Sequence, residues 1–136
     1  MDLVTDRTEA DVLLENEKGA YGYTDLNRVE TAVQAVAREF PSLGVGLSII
    51  TKTDWGAPGD FSAASWPVES QMTRYLANVE AIRALFFISV KLPSSMADLT
   101  WQGANNIESV LQTAMERIEG IKQSYRYSGE VYAGEE

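Results

Sequence analysis

Three stretches of this chain place apolar residues at helical spacing, and each is followed by residues that cannot easily continue a helix. The first holds Leu26, Val29, Val33, Val36, Ala37 and Phe40, and Pro41 ends it. The second holds Met72, Tyr75, Leu76, Val79, Ile82 and Phe86, with Pro93 beyond it. The third holds Ala104, Ile107, Val110, Leu111, Ala114, Ile118 and Ile121, and its pattern weakens past Gly120. A stripe of this kind must be buried against another element. Three such stripes in 136 residues predict one mainly α domain, a small three-helix bundle with helices over 25–40, 69–88 and 101–123. Its expected core contains Val29, Val33, Leu76, Val79, Ile107 and Leu111.

The flanks of these helices carry their own signals. Thr24 is the expected N-cap of the first, with Asp25 and Glu30 placing negative charge near its positive end. Glu69 and Thr100 announce the other two helices. Residues 1–18 read as a short helical arm, because Thr8 followed by Asp11 forms a capping box. Between the first two helices, Val45, Leu47 and Ile49 alternate with Gly46, Ser48 and Ile50, which predicts a strand-like excursion. Residues 52–56 read as a turn, and 125–136 as an extended C-terminal tail. Tyrosines in that tail would either fold back on the bundle or dock on a neighbouring copy.

Composition removes several classes of function. Twenty acidic residues against 11 basic ones give a net charge of −9, which repels a phosphate backbone, so no nucleic-acid partner is expected. The chain has no cysteine and no histidine, which excludes thiolate chemistry, His-based triads and the usual zinc sites. Gly44-Val45-Gly46 lacks the third glycine and the lysine of a phosphate loop. Hence no catalytic, cofactor-binding or metal-ligating residue is expected, and no enzyme. The longest apolar run is too short for a bilayer, and the first 17 residues carry six acids against one arginine, unlike a signal peptide. A protein made in the cytoplasm, with no membrane partner, is expected.

The aromatic residues are the remaining candidates. Tyr21, Tyr23, Trp55, Trp66, Trp101, Tyr125, Tyr127 and Tyr132 lie in or beside connectors and the tail. Three readings stand for them: cover for the core above helix ends, a protein interface, or a sugar-stacking platform. Asp54 is expected to pair with Arg74 or Arg28 in a buried ion pair that orders the central loop.

Several phrases also resemble a known family. They are Thr5-Asp6-Arg7-Thr8-Glu9-Ala10-Asp11-Val12, Gly19-Ala20-Tyr21-Gly22-Tyr23-Thr24-Asp25-Leu26-Asn27-Arg28-Val29-Glu30, Lys52-Thr53-Asp54-Trp55 and Gln71 to Val79. Ser95 to Thr100, Ala104-Asn105-Asn106-Ile107-Glu108 and Tyr127 to Glu135 complete the set. In order and approximate spacing they resemble a family encoded in prophages of gut Firmicutes, found in the company of phage structural genes. Three departures stand out: an inserted segment before Gly19 is missing, Val68 replaces a threonine cap, and residues 56–65 are longer and richer in small side chains. The resemblance implies a non-enzymatic virion or tail-associated protein. Its partners would be other phage structural proteins or copies of itself, including a homo-oligomer. The alternative is a carbohydrate-recognition domain that uses the loop tryptophans in a host-binding apparatus.

Overall fold

The computed structural model describes residues 3–14, 22–41, 49–56 and 68–135, the stretch 125–135 by its backbone alone. A short helix, α1 (Glu9–Leu13), precedes three long ones, α2 (Tyr23–Glu39), α3 (Glu69–Leu85) and α4 (Trp101–Glu135). A 3-10 turn, Met96–Asp98, lies between the last two, and no strand occurs among the described residues. The chain is mainly α and its three long helices form the expected bundle. Val29, Val33, Val79, Ile107 and Leu111 are buried, and Leu76 packs half-buried against them. Phe40 and Phe86 meet at 5.8 Å between ring centres, closing one end of the core.

Contacts along the helices show that all three run in the same direction. Arg28 of α2 meets Glu108 of α4 at 2.6 Å, and a few turns later Glu39 meets Lys122 at 2.8 Å. Glu30 of α2 meets Arg74 of α3 at 2.6 Å, and further along Phe40 meets Phe86. Parallel neighbours need connections that travel back the length of the bundle. Residues 86–100 span at most about 50 Å when extended, ample for a 17-residue helix roughly 25 Å long. Parallel helices also align their dipoles. Asp25 and Glu69 in first turns, and Arg38 and Arg83 in last turns, offset the charge that accumulates at each end.

The capping box of α1 forms as expected, with the Thr8 amide donating to Asp11 at 2.9 Å and the Asp11 amide to Thr8 Oγ1 at 3.3 Å. Thr100 likewise caps α4, accepting from the Gly103 amide at 3.0 Å. Thr24 does not cap α2. The helix starts two residues earlier than expected, at Tyr23, because Asp25 reaches back to accept from the Gly22 amide at 2.8 Å. α3 stops at Leu85 rather than near Ile88, since Phe87 adopts a left-handed φ of 53°.

The C-terminal tail is also corrected: its backbone is helical through Glu135, not extended. No proline follows Pro93 to stop α4, and lengthening an existing helix avoids the cost of nucleation. Since Lys122 faces the last residue of α2, residues 123–135 carry α4 roughly 20 Å beyond it. Most of the expected strand lies outside the described residues, and Ile49 and Ile50 are irregular.

Leu111 is fully buried where α4 meets the bundle core. Leu111→Ala is expected to lower the unfolding free energy by about 2–5 kcal/mol in urea titrations. An unchanged midpoint would show that α4 does not pack as described.

Candidate functional site

The most concentrated polar chemistry in the protein lies inside it, as two clusters of the same design. On α4, the Asn105 amide pairs with the backbone of Arg7 in both directions: Arg7 N–H donates to Oδ1 at 2.9 Å and Nδ2 donates to Arg7 C=O at 2.9 Å. One turn on, Glu108 Oε1 accepts from the Val4 amide at 3.0 Å and from Arg28 Nε at 2.6 Å. Its Oε2 accepts from Arg7 Nη2 at 2.6 Å and Arg28 Nη2 at 2.9 Å.

On α2, Asn27 pairs with the backbone of Trp55 in the same way, at 2.8 and 2.9 Å. Glu30 Oε1 accepts from the Lys52 amide at 3.0 Å and Arg74 Nη1 at 2.6 Å. Its Oε2 accepts from the Trp55 indole N–H and from Arg74 Nη2 at 3.2 Å. The two clamps share one plan, although Arg28 closes its carboxylate through Nε and Nη2 and Arg74 through Nη1 and Nη2. An Asn-x-x-Glu helix turn grips a four-residue segment at its first and fourth positions, the fourth side chain adds a donor, and an arginine from α2 or α3 closes the carboxylate.

The gripped segments are alike in sequence, Val4-Thr5-Asp6-Arg7 and Lys52-Thr53-Asp54-Trp55. So are the gripping turns, Asn27-Arg28-Val29-Glu30-Thr31 and Asn105-Asn106-Ile107-Glu108-Ser109, with Gln34 and Gln112 following at the same distance. Sequence reasoning missed this pairing. The signal was present as two Thr-Asp steps and two Asn-x-x-Glu turns, but it is short, and each turn lies well away in the chain from the step it grips. α3 has no third clamp, because Ala81 stands three residues after Asn78; Asn78 instead donates to the Ile50 carbonyl at 2.9 Å.

Glu30 and Glu108 are at most 1% exposed, yet neither is poised for catalysis. Each accepts four hydrogen bonds, the full capacity of a carboxylate, so no lone pair is left for a substrate or a migrating proton. The Glu108 carboxylate, with Asp25 beside it, holds the Arg28 guanidinium above its usual range against the opposing effect of burial. The expected ion pair is thus corrected in its acid: Arg74 and Arg28 do order buried segments, but through Glu30, Glu108 and Asp25. Asp54 faces solvent and meets Lys52 at 2.7 Å. Carboxylates inside the bundle can be filled by several donors, which an exposed turn residue cannot match.

The aromatic candidates separate. Trp55 is 1% exposed, so it belongs to the core and presents no face to a partner. Lys52 Nζ sits 5.0 Å from its ring centre. Tyr23 is exposed but lies so close over Gly56 that a Cβ there would come within 2.5 Å of its ring, at a backbone φ of 65° that favours glycine. Trp101 is half-buried at the start of α4. Tyr21, Trp66 and the side chains of Tyr125, Tyr127 and Tyr132 lie outside the described residues. Among the described residues of this set, Tyr23 is exposed, Trp55 buried and Trp101 half-buried.

An open groove of about 1250 Å³ runs between α3 and residues 89–99. Met72, Leu76, Leu92, Met96 and Leu99 supply its apolar lining, and Glu80 and Arg83, joined at 2.6 Å, stand at its edge. The Arg83 hydrogen bonds pull the Glu80 carboxyl below its usual range. Serines 89, 94 and 95 also line it, but the chain has no histidine to activate them. Among the described residues no cluster of acids is arranged to hold a metal ion. The groove suits apolar or peptide contact, with flexible methionines able to adapt.

The amides of Val4, Arg7, Lys52 and Trp55 lie in irregular segments but donate to buried glutamates or half-buried asparagines. They are expected to exchange far more slowly with deuterium than those of Thr5 and Thr53 in the same segments. Glu108→Ala, which strips the carboxylate from Arg7 and Arg28, is expected to cost about 3–5 kcal/mol and to abolish protection at Val4. Fast exchange at all four amides would show that the clamps do not hold in solution.

Comparison with known protein families, with curated proteins and with solved structures finds no match for this chain.

Proposed function

We propose that this protein is a non-enzymatic structural or adaptor component of a phage or prophage particle, working through protein–protein contacts. The observation that carries the non-enzymatic part is the saturation of both buried glutamates. The groups that most resemble catalytic acids are fully used in holding irregular segments. Accessible chemistry is apolar instead: the methionine-lined groove, and Leu13, Leu14 and Phe87, which are 77%, 75% and 88% exposed. Exposed apolar groups of this size suit contact with another protein. Placement in a phage particle rests on the resemblance of the sequence phrases.

A carbohydrate platform would need exposed tryptophan faces. Of the described tryptophans, Trp55 is enclosed and Trp101 half-buried, so neither offers a fully open face to a sugar.

Particles induced from a strain that carries the gene, purified by density gradient and analysed by mass spectrometry, are expected to contain the chain in stoichiometric amount. Its absence from intact particles, with the soluble protein abundant in the same lysate, would overturn the proposal.

A further inference from the structure

Two clamps of one plan hold two segments of closely related sequence, which opens the way to exchange between them. Val4-Thr5-Asp6-Arg7 and Lys52-Thr53-Asp54-Trp55 share their central Thr-Asp step. The bonds from Asn105 and Asn27 go to main-chain atoms, which any segment offers alike. The first residue of each segment also enters through its amide. Discrimination therefore falls on the fourth side chain, a cation in one segment and a neutral indole in the other.

The helix groups that face this side chain differ in charge. Arg7 meets Glu108 at 2.6 Å and Asp25 at 3.2 Å, and the Arg28 guanidinium meets the same two acids. Two carboxylates and one guanidinium leave an excess of one negative charge for the segment to neutralise. At the Trp55 indole the corresponding groups are Glu30 and Arg74, paired at 2.6 Å, and these balance each other.

The difference lies in one residue of the closing helix. Asp25 stands three positions before Arg28, on the same helix face, and three positions before Arg74 stands Gln71. Gln71 Oε1 is buried without a hydrogen-bond partner, the only side-chain atom in that state among the described residues. The second clamp thus carries an uncharged acceptor at the position where the first carries an acid. Exchange of the segments would strand a charge in each clamp. A tryptophan beside Glu108 would leave Asp25 without its second cation, and an arginine beside Glu30 would set two guanidiniums against one carboxylate. The Arg7 side chain is 2% exposed and that of Glu108 0%, so water does not screen a charge left there.

We propose that Asp25 is the positioning residue that assigns the arginine segment to the α4 clamp, and that Gln71 in the equivalent place reserves the α2 clamp for the neutral segment. The device acts on the exchanged pairing, where a charge is stranded, more than on the correct one.

Double-mutant cycles on the full chain, followed by urea titration and amide exchange, test it. Asp25→Asn removes the charge and keeps an oxygen for the Gly22 amide. In the wild-type chain it is expected to weaken folding, and to speed exchange at Val4 and Arg7 about tenfold more than at Lys52 and Trp55. In the Arg7→Met background the same change is expected to reverse sign and strengthen folding about tenfold, because it removes the stranded acid. Transfer of the preference is the second arm. Trp55→Arg and Gln71→Glu are each expected to weaken folding, and their combination to recover at least about tenfold over additivity. An Asp25→Asn effect of the same size and sign in both backgrounds would overturn the assignment, and an additive second pair would overturn the role of Gln71. Where Arg7→Met or Trp55→Arg does not fold, Asp25→Asn alone decides: equal acceleration at the two clamps, or none at either, refutes the proposal.

Discussion

A carboxylate moved out of water loses several kcal/mol of hydration and becomes tolerable only when donors fill it. Glu30 and Glu108 meet that condition with four donors each, and much of the irregular chain in this protein depends on them. One donor in each set is a main-chain amide of a segment with no secondary structure of its own, at Lys52 or Val4. Another belongs to a side chain of the same segment, Trp55 or Arg7. The cost of burying charge therefore becomes a means of fixing chain path. A leucine at either position would pack well and leave an amide of the docked segment without a partner.

One clamp holds residues 52–55, part of a return segment that the parallel arrangement requires, and the other holds residues 4–7 ahead of the bundle. Antiparallel helices can be joined by short turns whose backbone faces water. Parallel ones require return segments that lie along the bundle, and their backbone groups cannot all reach solvent. No neighbouring strand is present among the described residues to satisfy them. Asn27 and Asn105 take its place, since a side-chain amide offers the same donor and acceptor as a peptide group. Each makes with its segment the reciprocal pair of bonds that one residue of a β-ladder would make. Arg28 ties the two clamps together: it reaches from α2 to Glu108, within the helix turn that contains Asn27 and Glu30.

The helical stripes were legible because burial imposes a period on sequence. Val29, Val33, Ile107 and Leu111 could be placed in the core from spacing alone, and Thr8 and Thr100 from the local chemistry of capping. The clamps were not legible in this way. Asn27 and Trp55 are distant in sequence, and no periodicity links a helix turn to the segment it grips. Arg28 and Arg74 were recognised as ordering residues, but Asp54 was favoured over Glu30 as their acid. Local spacing carries no information about which acid faces inward. Spacing left Trp55 open between cover for the core, an interface and a sugar platform, and the carboxylate that receives its indole N–H places it in the core. The helical backbone of 125–135 contradicts the reading of a tail, because a weak apolar stripe does not stop a helix that no proline interrupts.

The phrases that carry the resemblance coincide closely with the clamps. Thr5-Asp6-Arg7, the turn ending at Glu30, Lys52-Thr53-Asp54-Trp55, Arg74 and Asn105 to Glu108 are all parts of one buried hydrogen-bonded system. Substitution of Arg7, Glu30 or Glu108 leaves a charge or an amide unpaired in the interior, so the physics restricts these positions whatever the protein does. Leu13, Leu14 and Phe87 fall outside every one of these phrases. Their exposure frees them from the packing that fixes the clamps, and at Phe87 the backbone itself would be better served by glycine. The clamps account for how the chain holds its shape.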